Sequence, residues 1–181
     1  MIKFEFSIIA SGLDPHADDF EDKFFAAGCD DATISLQKGL IIVDFTREAN
    51  SIAEAIASAV ENVCATGAKV DRIEPDPLVN LTDIAERTEM TRQAIFNYAK
   101  GVRGKGEDFP APVVRVTSDA PLYDWAEVAS WMAVHKKLSV EKAVSASVFQ
   151  EANNAIKAGE THLSDRLKRR AEEEAAALQA A

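Results

Sequence analysis

Along the first residues of the chain, apolar and polar positions alternate with period two. Ile2, Phe4, Phe6 and Ile8 fall on one side, and Lys3, Glu5 and Ser7 on the other. That pattern predicts a half-buried strand. "DDFEDKFFAAG" then reads as a helix, with acids in its first turn and Gly28 at its end. "ATISLQ" and "LIIVDF" are two strands joined at Lys38-Gly39, a tight hairpin connection. In "SIAEAIASAVENVCATG", Ser51 followed by Glu54 predicts a capping box. Ile52, Ile56, Ala59, Val60 and Val63 mark one apolar helix face, which Gly67 ends. "AKVDRIEP" supplies a last strand. The resulting order, βαββαβ, is the split-βαβ or ferredoxin-like arrangement, expected over residues 1–75.

"EPDPLVN" interrupts the pattern. Two prolines two residues apart disfavour a helix or central strand and predict a linker at 76–80. Residues 81–138 read helix, turn, helix, loop, hairpin, helix. "LTDIAERT" starts a helix with Thr82 as its expected cap, and "TRQAIFNYAK" a second with Thr91 as its cap. "FPAPVVRV" and "APLYDW" predict two short strands around a turn at 117–120, and "DWAEVASWMAVH" a helix. In residues 139–181, Val140, Val144, Val148, Ala152 and Ile156 fall at four-residue steps as an apolar helical stripe. Leu163, Leu167, Ala171 and Leu178 form a thinner one on a final helix. The expected fold class is therefore α+β: a ferredoxin-like N-terminal domain, a central winged helix-turn-helix and a C-terminal helical extension suited to dimerisation.

Charge changes this picture. The 181 residues hold 20 basic and 30 acidic side chains, a formal net charge of −10. Residues 1–77 carry net −9, whereas residues 78–138 are balanced. Within the balanced region, "MTRQAIFNYAKGVRGKG" contains four basic residues and no acid. Acidity concentrated in a neighbouring domain leaves such a window able to approach phosphate. Cys29 and Cys64 are too few and too far apart for a disulfide framework or zinc site and fit a reduced, cytoplasmic protein. No run of apolar residues is long enough for a membrane span, and the N-terminus reads as a strand rather than a signal peptide. Asp14, His16, Asp18, Asp19 and Asp22 suit a solvated helix start better than a metal site. No metal and no cofactor is expected, and an enzyme is the class least expected, because no phosphate loop or nucleophile-base spacing is present.

The two short capped helices predict a helix-turn-helix. Ala85 is small enough for a close crossing, and Ile84, Met90, Ile95 and Tyr98 supply a shared core. With Ala94, Ile95 and Tyr98 inward, the second helix presents Arg92, Gln93, Phe96, Asn97 and Lys100. Arg matches guanine, and Gln or Asn matches adenine, in the major groove. Thr91 at the helix start, Arg103 and Lys105 in the following loop, and Arg115 on the hairpin are expected at phosphates.

"LTDIAERTEMTRQAIFNYAK" resembles the helix-turn-helix of bacterial transcriptional regulators. With "FPAPVVRVTSDAPLYDWAEVASWM" added, it is similar to the excisionase-like and MerR-like winged-helix family. The matching positions are Phe109, Pro110, Tyr123, Trp125, Val128 and Trp131. One departure is Glu89, at the turn position usually held by Gly. A left-handed backbone there costs about 1 kcal/mol.

The resemblance implies a sequence-specific regulator of transcription, a repressor binding double-stranded DNA as a homodimer, with the dimer contact expected in residues 139–181 or on the N-terminal sheet. Two alternatives stand beside it. One is an antitoxin-like or anti-activator module whose acidic N-terminal domain binds a basic protein partner. The other is an excisionase-like DNA-architectural factor.

Overall fold

The structure is a computed structural model that describes residues 1–101 and 109–181. It is an α+β fold: a four-stranded antiparallel sheet with helices, followed by C-terminal helices. The chain divides into two compact units. The first comprises Met1–Pro75 with Val148–Glu172, and the second Asp76–Ser147 with Glu173–Ala181.

In the first unit the element order is β1 (Ile2–Ser11), α1 (Phe20–Ala26), β2 (Ala32–Gln37), β3 (Leu40–Ala49), α2 (Ile52–Ala65) and β4 (Lys69–Glu74). The sheet order is β2-β3-β1-β4, antiparallel throughout. Lys38 and Gly39 both take positive φ, 53° and 78°, as a two-residue hairpin loop matched to strand twist requires. Alternation is cleanest in β3, where Ile41, Val43, Phe45, Arg47 and Ala49 are buried and Asp44, Thr46 and Glu48 exposed. In β1 the alternation is less regular than expected. Ile2 is exposed, while Ile8, Ile9 and Ala10 are all buried, with a register shift at Ile9/Ala10. The expected face of α2 is buried, together with Ala53, Ala55 and Ala57.

Ser51 Oγ caps α2 by accepting from Glu54 N–H (3.2 Å). The reciprocal bond of the expected capping box runs instead from Asn50 N–H to Glu54 Oε2 (3.0 Å). Arg47 takes an apolar position in register and uses all five of its N–H donors. It forks onto Asp31 (Nε 2.8 Å, Nη2 2.9 Å) and reaches Ser58 Oγ (3.0 Å), Asn62 Oδ1 (2.8 Å) and Gly28 O (2.9 Å).

The second unit holds β5 (Leu78–Val79), α3 (Leu81–Thr88), α4 (Arg92–Ala99), β6 (Tyr123–Asp124) and α5 (Trp125–Val134). The expected linker therefore contains a strand: Leu78 and Val79 pair with Asp124 and Tyr123, and Trp125 N–H donates to Pro77 O (2.8 Å). The two prolines precede this strand and leave its donors intact. The expected hairpin is reduced to one bridge, Val114 to Leu122, because Pro110, Pro112 and Pro121 remove ladder donors.

Helix α6 (Val140–Lys157) and helix α7 (Ser164–Ala180) each give residues to both units. The four-residue stripe expected on α6 holds at Val148, Ala152 and Ile156 and is corrected before them. Val140 and Val144 are half-buried, and the deep positions are Ala143, Ala146, Ser147, Val148, Ala152, Asn153 and Ala155. A helix with 3.6 residues per turn drifts away from a four-residue step. Val148, Ala152, Ile156, Leu163 and Leu167 are already buried within this one chain, so the stripe does not stand open for dimerisation. Asn153 serves the sheet: Oδ1 accepts from Ile73 N–H (2.9 Å) and Nδ2 donates to Ile73 O (3.0 Å), completing the outer edge of β4.

Candidate nucleic-acid interface

The site is built on the pair α3 and α4, joined by Glu89, Met90 and Thr91. Chain entry sets α3. Its N-cap is Asn80, not Thr82: Asn80 Oδ1 accepts from Thr82 N–H (2.7 Å) and Asp83 N–H (3.0 Å), and Asp83 Oδ2 accepts back from Asn80 N–H (2.8 Å). This is a reciprocal capping box. The Asn-x-x-Asp spacing was its signal in the sequence; the β5 pairing just before it starts the helix earlier than Thr82. Glu89 ends α3 in the left-handed region (φ 57°, ψ 29°) with no glycine to relieve the strain. Its carboxylate lies 3.5 Å from Lys142 Nζ. Thr91 caps α4 as expected, Oγ1 accepting from Ala94 N–H (3.2 Å).

The core beneath these helices joins Ile84, Ala85, Ile95 and Tyr98 to Tyr123, Trp125, Val128 and Met132. Met90 and Trp131 pack against it while half-buried. Phe109 meets Tyr123 and Trp131 edge-on, with ring centroids 5.8 and 5.1 Å apart. Trp131 also meets Tyr98 edge-on (5.6 Å) and stacks on His135 (4.0 Å). His135 is thereby half-buried. Burial pushes the Tyr123 phenol up from its ordinary value. Arg87 belongs to this framework too. Its guanidinium lies over the Trp125 ring (5.2 Å) and Nη2 donates to Asp76 O (2.9 Å), while desolvation lowers its pKa.

With Ile95 and Tyr98 buried, the other face of α4 carries what the sequence assigned to it. Thr91, Arg92, Gln93, Phe96 and Lys100 are exposed and Asn97 is half-buried. Gln93 Nε2 donates to Asn97 Oδ1 (3.0 Å), so the two amides are held as one unit. Lys100 Nζ lies 5.4 Å from the Phe96 ring centroid, which keeps both on the same face. No acidic residue occurs from 90 to 106. Lys137, which sequence reasoning missed, lies over the Tyr98 ring (5.1 Å). No local pattern announced it; only the packing of α5 against α4 brings it there.

Arg115 sits on the loop closed by Val113 and Val114 N–H to Leu122 O (2.8 and 3.2 Å) and Leu122 N–H to Val114 O (2.9 Å). Arg115 has φ 55°, and its carbonyl accepts from Ser118 N–H and Oγ, both at 2.9 Å. Arg103 and Lys105 lie outside the described residues. By sequence, the first unit holds 11 basic and 18 acidic residues, net −7, and the second 9 and 12, net −3. The excess negative charge therefore belongs mainly to the unit without α4. Among the described residues, no helix is long and apolar enough to cross a membrane. Comparison with family models, with curated proteins and with solved structures produced no match to this chain.

Proposed function

We propose that this chain is a sequence-specific double-stranded DNA-binding regulator of transcription, a repressor that works as a dimer. The observation that carries the reading is the outward face of α4: Arg92, Gln93, Asn97 and Lys100 without a carboxylate among them, on a helix whose Ile95 and Tyr98 are locked into a core. In this reading Arg92 addresses guanine. The tied Gln93-Asn97 pair offers one carbonyl oxygen and one amide group to an adenine edge, and Phe96 meets a thymine methyl. Lys100, Thr91 and the loop bearing Arg103 and Lys105 face phosphates, and Arg115 provides a weak wing contact. The bridged loop at Val114 and Leu122 supports the winged-helix reading and the likeness to excisionase-like and MerR-like domains. In the first unit, the element order and the β2-β3-β1-β4 sheet support the split-βαβ reading.

Selection from a random duplex pool, followed by mobility shift, tests this. Arg92→Ala and Gln93→Ala should each cost about 1–3 kcal/mol on the selected site and relax preference at one base position. Lys100→Ala should weaken all sequences alike and lower the salt slope by about one. One module reads few base pairs, so the selected site should be palindromic, with half-sites about one helical turn apart. Unchanged binding in both Arg92→Ala and Gln93→Ala sinks the assignment.

A further inference from the structure

Strand β2 is an edge strand whose outer side pairs with no other strand among the described residues. Its sequence, ATISLQ, has no charge, no proline and no glycine, which are the usual protections of an open edge. Asp31 O accepts from Thr46 N–H (3.0 Å), so the residues bonded to β3 are the alternate ones, Thr33 and Ser35. The main-chain N–H and C=O groups of Ile34 and Leu36 therefore point outward.

Beside this edge lies a cleft of about 370 Å³, lined by Glu21, Asp22 and Phe25 of α1, by Cys29, and by Ala32 and Ile34 of β2. Leu36 shares a face with Ala32 and Ile34, because side chains alternate along a strand. Phe25, which lines the cleft, is 71% exposed, and Leu36, further along the same face of β2, is 49% exposed. At the start of α1, Asp19 is paired with Lys23 (3.1 Å). Glu21 and Asp22 are both exposed, and both are acidic.

We infer that this edge and cleft bind an extended basic segment of another protein, which adds to the sheet as a fifth strand. Its main chain bonds to Ile34 and Leu36. Alternate apolar side chains fill the space over Ile34 and Phe25, and Lys or Arg residues meet Glu21 and Asp22. Charge decides between this occupant and a second copy of the chain. Antiparallel pairing of two β2 strands needs a two-fold axis normal to the sheet. That axis keeps both α1 helices on one face and brings Glu21 and Asp22 toward their own copies. Like charges there oppose self-pairing, whereas a basic strand is attracted. The inference stands on the first unit alone and is independent of what α4 binds.

The test uses the full chain and fluorescein-labelled decapeptides in anisotropy titrations. One peptide alternates valine and lysine, and its counterpart alternates valine and glutamate. The lysine peptide should bind and the glutamate peptide should not. N-methylation of the residues whose amides face β2 should abolish binding, while N-methylation of the intervening residues should not. Leu36→Lys, Phe25→Ser and the double variant Glu21→Lys/Asp22→Lys should each weaken binding by about tenfold or more. Circular dichroism should match the parent, since all four side chains are exposed. No binding up to about 1 mM, equal binding of both peptides, or insensitivity to N-methylation overturns the inference. A dimer in sedimentation that Leu36→Lys dissolves would give the edge to a second copy instead.

Discussion

Arg47→Met is the most informative single change in the first unit. Methionine is close to the aliphatic part of arginine in volume, so packing of the stem is largely kept, while the guanidinium contact with the Phe45 ring, 4.7 Å to the centroid, goes with the charge. What is lost is the hydrogen-bonding hub. Arg47 is 9% exposed in its side chain and Asp31 30%. Removing one partner of a fully buried pair costs about 3–5 kcal/mol. Asp31 can rehydrate in part, which lowers that figure to about 2 kcal/mol. Gly28 O, Ser58 and Asn62 also lose a donor, at about 1 kcal/mol for each one that water cannot reach. The expected destabilisation is about 3 kcal/mol, read from urea melts by far-UV circular dichroism as a lower midpoint with an unchanged slope. Both tryptophans and both tyrosines lie in the second unit, so fluorescence follows that unit separately. Arg47→Lys should recover less than half of the loss, because a point charge cannot form the two-pronged bond to Asp31. A loss below about 1 kcal/mol in Arg47→Met would refute the view of Arg47 as the hub.

Asn153→Leu should destabilise by about 2–4 kcal/mol, since it strips the side-chain partner from both main-chain groups of Ile73; exchange of the Ile73 amide hydrogen, measured by NMR, should accelerate with it. Glu89→Gly should leave the melting temperature nearly unchanged: relief of about 1 kcal/mol of left-handed strain offsets the greater chain entropy of glycine and the loss of the exposed Lys142 pair. Glu89→Ile, with a branched side chain at φ 57°, should cost more than about 1 kcal/mol, and equal stability of the two variants would contradict the strain argument. The Cys29 thiol is pushed up from 9.0 to about 11, chiefly by burial and against the opposing pull of Arg47. Its raised folded value means the contribution to stability is whole below about pH 9 and is lost as pH rises toward 11. In the native protein at neutral pH, iodoacetamide should modify half-buried Cys64 before Cys29, as peptide mass mapping would show.

Much of this molecule is local information. The elements of the first unit follow from period-two and period-3.6 patterns, and its hairpin from Lys38-Gly39, because side-chain alternation and turn chemistry act over a few residues. The α4 face was legible for the same reason: once Ile95 and Tyr98 turn inward, helical geometry sends Arg92, Gln93, Phe96 and Lys100 outward. The long-range matters were not legible. Nothing near Leu78 and Val79 announces their pairing with Tyr123 and Asp124, and this pairing moved the α3 cap from Thr82 to Asn80. Nothing in the sequence around Arg47 marks it as buried. Only the convergence of Asp31, Ser58, Asn62 and Gly28 makes its burial affordable. The apolar stripe of the C-terminal helices likewise asks for a cover in sequence, and the fold supplies one from the same chain. Local sequence determined which face of each element is apolar. Tertiary structure alone decided what covers that face and which edge, β2, has no strand partner among the described residues, because burial and pairing are settled by residues far apart in the chain.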